Sequence, residues 1–213
     1  MKRFTVVVEI WLLAFAACAV LASFTFVHVD LPVAVHFWKA RYFVHHLDTA
    51  FGASVILTLE TTVTLILVVT RVVRGHLSRT GEALAIACLA SICSYGINDE
   101  VLKAIFGVPN PSDVMGGARH TFHLLMGSPN SSFPSGHMVL AGGFAGVLMR
   151  LYRRSIGPLC ALLLIGMALL VVGGWHFVSD VITGAFLGVS AGLLAGEVWN
   201  VHSELLQGRD REK

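Results

Sequence analysis

The sequence predicts an all-α membrane protein with six transmembrane helices and one short helix at the membrane interface. Three observations support this fold class. The composition is strongly apolar, six apolar stretches approach the length of a membrane span, and the cationic residues alternate between the connections in the order that six spans require.

The composition excludes an ordinary soluble domain. Apolar residues make up 55% of the 213-residue chain and charged residues 13%, and the mean hydropathy is +0.76. Soluble domains carry about 25% charged residues. So few charges cannot cover this much apolar surface, so we expect lipid to be part of the solvent. The net charge of +2 gives no reason to expect nucleic acid as a partner.

A spanning helix needs ~20 mostly apolar residues. Six stretches meet or approach this length: 5–27, 49–73, 81–106, 135–151, 156–173 and 178–199. The first has the basic start of a signal peptide, but its apolar run continues to Val27, which favours a retained span. We predict a single membrane domain over 1–213, with a helical core at about 81–200 and a cytoplasmic tail at 202–213.

The cationic side chains indicate the orientation. Of the fifteen, eleven fall on one side of the predicted spans and four on the other. The eleven are Lys2, Arg3, Arg71, Arg74, Arg79, Arg150, Arg153, Arg154, Arg209, Arg211 and Lys213; the four are Lys39, Arg41, Lys103 and Arg119. The positive-inside rule then places both termini in the cytoplasm, with 28–48, 107–134 and 174–179 facing outward.

Segment 28–48 mixes charged, histidine and aromatic residues. Its polar members include Asp30, His36, Lys39, Arg41, His45, His46 and Asp48. This mixture predicts an amphipathic helix at the interface. A solvated loop is the alternative.

Three outward patches carry residues suited to phosphate chemistry. In the first, Asp99 and Lys103 are four residues apart, so they share a helix face and can pair; the alternative is a lysine that extends from the span end toward water. The second is 131–137, where Gly136 and His137 open the fourth span. Free amides at a helix start bind anions, and a histidine there can donate a proton to a leaving oxygen.

The third patch, 173–180, opens the sixth span. His176 and Asp180 are four residues apart, so on a helix the carboxylate can hold one ring nitrogen and leave the other free to attack an electrophile. One histidine at a membrane surface is usually an interface residue. Two histidines at span starts on the same side, one with a carboxylate partner, favour a phosphate-handling site.

These patches resemble the motifs of the type-2 phosphatidic acid phosphatase superfamily. Pro134-Ser135-Gly136-His137 resembles its central motif, His176-x-x-x-Asp180 the end of its third motif, and Lys103 with Pro111 the ends of its first. The resemblance covers roughly residues 95–190, and the six spans fit the integral-membrane branch of the superfamily.

The resemblance implies a phosphohistidine mechanism without a metal or other cofactor. His176 is then the nucleophile, oriented by Asp180, and His137 is the general acid and later the base. Lys103 and the amides around Ser135 and Gly136 hold the phosphoryl oxygens.

The chain departs from the family pattern at two positions. Asn110 stands where the first motif has arginine, which leaves an amide among the phosphate-binding candidates. Leu169-Leu170 stands where the third motif has Ser-Arg. Arginine contacts phosphate through two parallel hydrogen bonds, which neither residue reproduces.

Three residues of the 107–134 connection can compensate. They are Arg119, His120 and His123, and solvated loop residues are the alternative for each. Phe122-His123 resembles a Phe-His pair of bacterial membrane subgroups that also lack the third-motif arginine.

The resemblance therefore implies a lipid phosphatase or diphosphatase with its site on the periplasmic face of a bacterial inner membrane. Its partners are a lipid phosphate substrate and the bilayer. Two alternatives stay open: a lipid-to-lipid phosphotransferase, and a non-catalytic protein that binds or transports lipid phosphates. Nothing in the sequence predicts the oligomeric state.

Glu60 lies in the middle of the second predicted span. An intramembrane carboxylate is a candidate functional group. The alternative is a protonated side chain that is hydrogen-bonded to a neighbouring helix.

Overall fold

The computed structural model describes residues 2–41 and 52–211, and the side chains of 5–41 and 52–205. All regular elements in this part of the chain are helices. Their bounds are α1 Lys2–His28, α2 Asp30–Phe37, α3 Ala53–Arg74, α4 Arg79–Ile97, α5 Lys103–Phe106, α6 Pro111–Met115, α7 Gly136–Leu151, α8 Ile156–Val172 and α9 Val178–Arg211. A π-helical turn, Asn98–Leu102, joins α4 to α5, and a 3-10 turn, Arg153–Ser155, precedes α8.

Five helical segments of the described chain are long and apolar enough to cross a membrane. They are Thr5–His28, Ala53–Arg74, Arg79–Met115, Arg153–Val172 and Val178–Leu205. The predicted fourth span is the 16-residue helix α7, which at ~1.5 Å per residue is about 24 Å long. This is shorter than a hydrocarbon core of about 30 Å, so the predicted count of six spans is not confirmed.

The all-helical class and the membrane character are confirmed. α1 has only 6% of its apolar window buried within the chain, and α3 and α8 are equally exposed. Leu13 and Val20 on α1 are each 71% exposed. Apolar helices with so much uncovered surface are stable only when lipid surrounds them.

The segment 28–48 contains a short helix, α2, over Asp30–Phe37; its position at the membrane interface stays a prediction. His45, His46 and Asp48 lie outside the described residues, as does the predicted start of the second span at residue 49. At the other end of the chain, α9 continues to Arg211 through the segment that we expected to be a tail.

Glycines determine how closely α7 and α9 pack. On α9, Gly184, Gly188 and Gly192 recur every four residues and face the backbone of α7. A Cβ on Gly188 would lie 2.5 Å from the Val139 carbonyl oxygen, and one on Gly184 would lie 2.5 Å from the Ser135 carbonyl oxygen. Small residues at this spacing allow helix backbones to come into contact within a membrane.

This packing places α7 between α4 and α9 as the most enclosed helix of the described bundle. Ser91 of α4 donates a hydrogen bond to the Leu140 carbonyl of α7 at 2.9 Å. Glu60 of α3 is buried, at 7% exposure, and its carboxyl faces the Ser91 side chain. Because Ser91 belongs to α4, the Glu60 carboxyl is directed at an adjacent helix. This position is compatible both with a functional group and with a protonated, hydrogen-bonded side chain.

The helix starts and ends that bear the three sequence patches meet at one end of the bundle. Asp30 accepts hydrogen bonds from Ser179, and Ser132 donates one to Asp180. Asp30, Ser132 and the residues around Ser179 therefore lie at the same end of the bundle.

We expect Gly188→Ala to destabilise the protein by about 1–3 kcal/mol, because the added methyl overlaps the α7 backbone at Val139. The measurement is thermal unfolding in detergent.

Gly96→Ala is the matched control. Gly96 is also in a helix, but a Cβ there meets nothing within 4 Å, so the change should be neutral or stabilising by up to ~1 kcal/mol. If the two substitutions changed the thermal stability equally, the close backbone contact at Gly188 would not be what holds α7 against α9.

Candidate active site

The turn before α9 positions His176. Gly174 adopts φ +70, and the Leu170 carbonyl accepts a hydrogen bond from the Trp175 amide at 3.1 Å. Asp180, in the first turn of α9, accepts a hydrogen bond from the Phe177 amide at 2.7 Å, as a carboxylate near a helix start commonly does. The same Asp180 oxygen, Oδ2, lies 3.5 Å from His176 Nδ1. The predicted approach of these two side chains is therefore present in the structure.

The start of α7 supplies the second histidine. Ser135 caps the helix by accepting a hydrogen bond from the Met138 amide at 3.4 Å, and its own amide donates to the Asp180 carbonyl at 3.1 Å. His137 Nδ1 then lies 3.3 Å from His176 Nε2, with the two rings nearly perpendicular. Each nitrogen of His176 thus has a neighbour, Asp180 on one side and His137 on the other.

Lys103 approaches the start of α7 from α5. Its ammonium group lies 2.5 Å from the Asp99 carboxylate, which confirms the pair that the sequence spacing predicts. It also donates a hydrogen bond to the Pro129 carbonyl at 2.7 Å. A Cβ on Gly136 would lie 3.8 Å from Lys103 Nζ, so a positive charge stands next to the first amide of α7. Both features favour an anion at this position.

Ser132 is a site residue that the sequence analysis missed. Its hydroxyl donates a short hydrogen bond to Asp180 Oδ2 and lies 3.4 Å from His176 Nδ1. Asp180 Oδ2 therefore receives donors from two chain segments while it faces the imidazole. The proximity of Ser132 to the Pro134–His137 motif was the available signal, but nothing in the sequence distinguishes it from Ser131.

A second buried cluster lies directly behind Asp180. Asp30 accepts hydrogen bonds from the Ser179 amide at 3.0 Å and from the Ser179 hydroxyl at 2.5 Å. His120 Nε2 lies 3.5 Å from the same carboxylate, and its ring stacks on Phe26 and contacts Phe177 at a tilted angle. Asp30, from α2, thus binds the first turn of α9.

Burial controls the charges in this cluster. It raises the pKa of Asp30 from 3.8 to about 6, the Asp180 charge adds to this rise, and the hydrogen bonds from Ser179 oppose it. Burial also lowers the pKa of His120 below 6.5, while the Asp180 charge opposes that shift. A neutral imidazole therefore faces a carboxyl that titrates near neutral pH.

Four other residues that the sequence suggested for phosphate binding or compensation do not contact the histidine pair: Asn110, Arg119, His120 and His123. Asn110 caps α6, where it accepts hydrogen bonds from the Asp113 amide at 3.0 Å and the Ser112 hydroxyl at 2.6 Å. Arg119 and His123 are exposed. Of the three compensating candidates, the structure brings only His120 into the interior, and it contacts Asp30 rather than the histidine pair.

Leu170 occupies the position of the missing third-motif arginine. Its side chain is buried against Met138 and Val181 in the apolar core beneath the site. Arg41 approaches the same turn from the other side: a Cβ on Gly174 would lie 3.7 Å from Arg41 side-chain atoms, and the guanidinium stacks on Trp38 at 3.4 Å. In the sequence, Arg41 belongs to the predicted interfacial segment, and no motif or spacing links it to the turn at Gly174.

We expect the Asp30→Asn variant to gain stability relative to the wild type as pH rises. The folded protein keeps the Asp30 proton up to about pH 6, whereas the unfolded chain releases it near 3.8. The stabilising contribution of the neutral carboxyl is therefore full at low pH and is lost as pH rises through about 6. Asparagine stays neutral throughout, so the Tm difference, variant minus wild type, should rise from about pH 4 to 6 and then level off.

Asp30→Ala is the control for this measurement, because alanine has no acceptor for the Ser179 donors and should lower Tm at every pH. A Tm difference for Asp30→Asn that stays constant or falls with pH would contradict the assigned titration.

The comparison with known proteins agrees with this geometry. The family model of the PAP2 superfamily matches residues 83–202, which include Lys103, the start of α7 and the His176–Asp180 turn. Neither the curated proteins nor the solved structures that were compared with the chain gave a match. The match extends over more than half of the chain and contains all three motifs, so the protein belongs to the PAP2 superfamily.

Proposed function

We propose that this protein is a metal-independent phosphatase that removes phosphate from a membrane lipid through a phosphohistidine intermediate. The observation that carries the proposal is the arrangement of His137, His176 and Asp180. Asp180 holds one nitrogen of His176, and the other nitrogen is directed at His137 at 3.3 Å. A nucleophile, its orienting carboxylate and a proton donor are thus in the order that phosphoryl transfer to an imidazole requires.

In the first step, the lone pair of His176 Nε2 attacks phosphorus and the bond to the leaving oxygen breaks. Burial, with the nearby His176 and Lys103, lowers the pKa of His137 to about 3, and the negative charge of a bound phosphate opposes this shift. With the phosphate bound, protonated His137 gives its proton to the leaving oxygen, so the lipid leaves as a neutral alcohol. In the second step, His137 accepts a proton from water as the water oxygen attacks phosphorus. The P–N bond breaks, inorganic phosphate leaves, and His176 is restored. The incoming phosphoryl group takes the place of the direct contact between the two histidines.

The negative charge that develops on the phosphoryl oxygens is met by Lys103 and by the amides at the start of α7. Such donors are effective because they are fixed before the reaction begins. Lys103 is buried, at 8% exposure, and held by Asp99 and the Pro129 carbonyl. Its ammonium group is therefore already in position when phosphate binds.

A lipid substrate agrees with the location of the site. The histidine pair lies at one end of an apolar bundle, where helices α5, α7 and α9 start or end. A phosphate at the headgroup level of a bilayer reaches that depth. The distribution of cationic residues favours the outward, periplasmic face of a bacterial inner membrane.

Leu170 supports a second candidate, a protein that binds lipid phosphate without turnover. An apolar side chain stands where the family pattern has a phosphate-binding arginine, and it is part of the core. Loss of one transition-state contact of this kind costs ~3 kcal/mol. A phosphotransferase shares the first chemical step, so added acceptor lipid is needed in the assay.

The first test is phosphate release from lipid mono- and diphosphates by the purified protein in detergent, with and without an acceptor lipid. We expect turnover by the wild type and at least a 1,000-fold loss in His176→Ala, because the nucleophile is removed. His202→Ala, near the far end of α9, should behave like the wild type. Transfer only in the presence of the acceptor would identify a phosphotransferase, and lipid binding without turnover would establish the non-catalytic alternative.

The second test concerns the proton donor. His137→Ala should lower turnover of an alkyl lipid phosphate by about 100-fold or more, because the alkoxide then leaves without a proton. The loss should be much smaller for an aryl phosphate such as p-nitrophenyl phosphate, whose leaving group needs no proton. Equal losses on both substrates would exclude the acid role of His137.

A further inference from the structure

Residues 122–126, here called the apolar loop, are exposed although most of them are apolar. Leu124 is 64% exposed, and Leu125 and Met126 are each 81% exposed. Phe122 anchors the start of the loop, since its ring stacks on Phe26 with a centroid distance of 4.5 Å. Three consecutive large apolar side chains that lie open to the surroundings indicate an interaction surface.

The backbone of the apolar loop is attached to the end of a membrane span. The amides of His123, Leu125 and Gly127 donate hydrogen bonds to the carbonyls of Phe106, Ile105 and Ala104, at 3.1, 2.8 and 3.1 Å respectively. The loop therefore runs beside α5 rather than extending away from it.

This attachment fixes the depth of the loop. Ile105 is 26 residues beyond the start of α4 at Arg79, which is about 40 Å at ~1.5 Å per residue. A hydrocarbon core is about 30 Å thick, and the bilayer with its headgroups about 40–45 Å. With Arg79 at the opposite surface of the bilayer, this length brings the apolar loop to headgroup level, next to the acyl chains.

The loop also continues a surface that faces lipid. Val101 and Ile105, on the span beside it, are 48% and 36% exposed. Leu125 adopts φ +60, a region that branched side chains seldom occupy. The fold therefore holds a large apolar side chain outward in an unfavourable backbone conformation, and the described residues leave it 81% exposed.

A cavity of about 300 Å³ adjoins the apolar loop, and polar and apolar surface contribute about equally to its lining. The lining residues are Gly107, Pro109, Asp113, His123, Met126, Ser128, Asn130 and Ser131. His123 and Met126 thus belong both to the loop and to the cavity. An exposed apolar loop beside a cleft that also offers polar side chains provides contacts for both the chains and the headgroup of a lipid.

We propose that Leu124, Leu125 and Met126 insert into the leaflet on the site's side of the membrane and guide the chains of the lipid substrate toward the histidine pair. The link to the site is short, because three residues after Met126 the Pro129 carbonyl holds Lys103. Guidance of a substrate rests on the proposed function; insertion of the loop does not.

The first experiment measures insertion without any need for activity. The four native cysteines are replaced by alanine, Met126→Cys is labelled with a nitroxide, and the protein is placed in phosphatidylglycerol–phosphatidylcholine vesicles. We expect the label to be relaxed by oxygen, which is concentrated in lipid, and protected from a water-soluble nickel chelate. Ala118→Cys, an exposed position in the same connection, should show the opposite pattern. Access of the chelate to position 126 would overturn the proposal, as would protection from both relaxants, which would indicate coverage by a second copy of the chain.

The second experiment separates guidance from catalysis. Leu125→Asn and Leu125→Gly remove the apolar side chain but suit the left-handed backbone, and Leu125→Met is the apolar control. For a long-chain lipid phosphate in vesicles we expect the first two variants to raise KM roughly tenfold, as the loss of one buried leucine contact predicts. The kcat/KM for a short, water-soluble phosphate ester should be unchanged. Equal losses on both substrates, or no loss on either, would overturn guidance.

A wild-type protein inactive on both substrates would instead contradict the proposed function. The relaxation measurement would then still decide whether the loop inserts.

Discussion

The site depends on the close packing of α7 against α9. Both histidines stand at the starts of these helices, and the Ser135 amide reaches the Asp180 carbonyl at 3.1 Å only because the helix backbones are in contact. Gly184 lies beneath Ser135, one turn along α9 from Asp180. In lipid, apolar side chains gain little by packing on one another, so close backbone approach is a main source of helix association. Glycines without any chemical role thus set the 3.3 Å separation between the two imidazoles.

Without the two family arginines, fewer cationic groups are available to bind a phosphate, but the geometry of the two histidines is kept. At position 170 the backbone carbonyl still holds the turn before His176, while the leucine side chain joins the core. Lys103 supplies positive charge at the start of α7, and its ammonium group forms an ion pair with the Asp99 carboxylate. A phosphate bound with fewer cationic contacts needs interaction energy from another part of the substrate, and such remote energy can be used at the reacting centre. In the proposed function, the apolar loop supplies that energy to a lipid but not to a small phosphate ester.

The side-chain pairs of the candidate site could be predicted because their constraints are local. Four-residue spacing indicated both Asp99–Lys103 and His176–Asp180, although His176 lies in the turn before α9 rather than on a helix. The partners that come from distant segments could not be predicted. Asp30 meets Ser179 across 149 positions of the chain, and Ser132 meets Asp180 across 48. No periodicity links such pairs, because the tertiary fold alone brings them together.

The count of six spans is not confirmed because α7, the predicted fourth span, has only 16 residues. Hydropathy treats a helix as if lipid surrounds it, but α7 is packed between α4 and α9. Neighbouring helices as well as the bilayer therefore determine its length, and hydropathy does not register them. Its first residue directly follows Ser135, whose side chain caps the helix at the candidate site.

Asp30 connects α2 to the proposed nucleophile. It belongs to α2, yet its carboxyl binds the amide and the hydroxyl of Ser179, the residue next to Asp180. Since Asp180 in turn faces His176 Nδ1, the position of α2 and the orientation of the imidazole are joined through one buried side chain. A displacement of α2 would therefore change the geometry of the histidine pair.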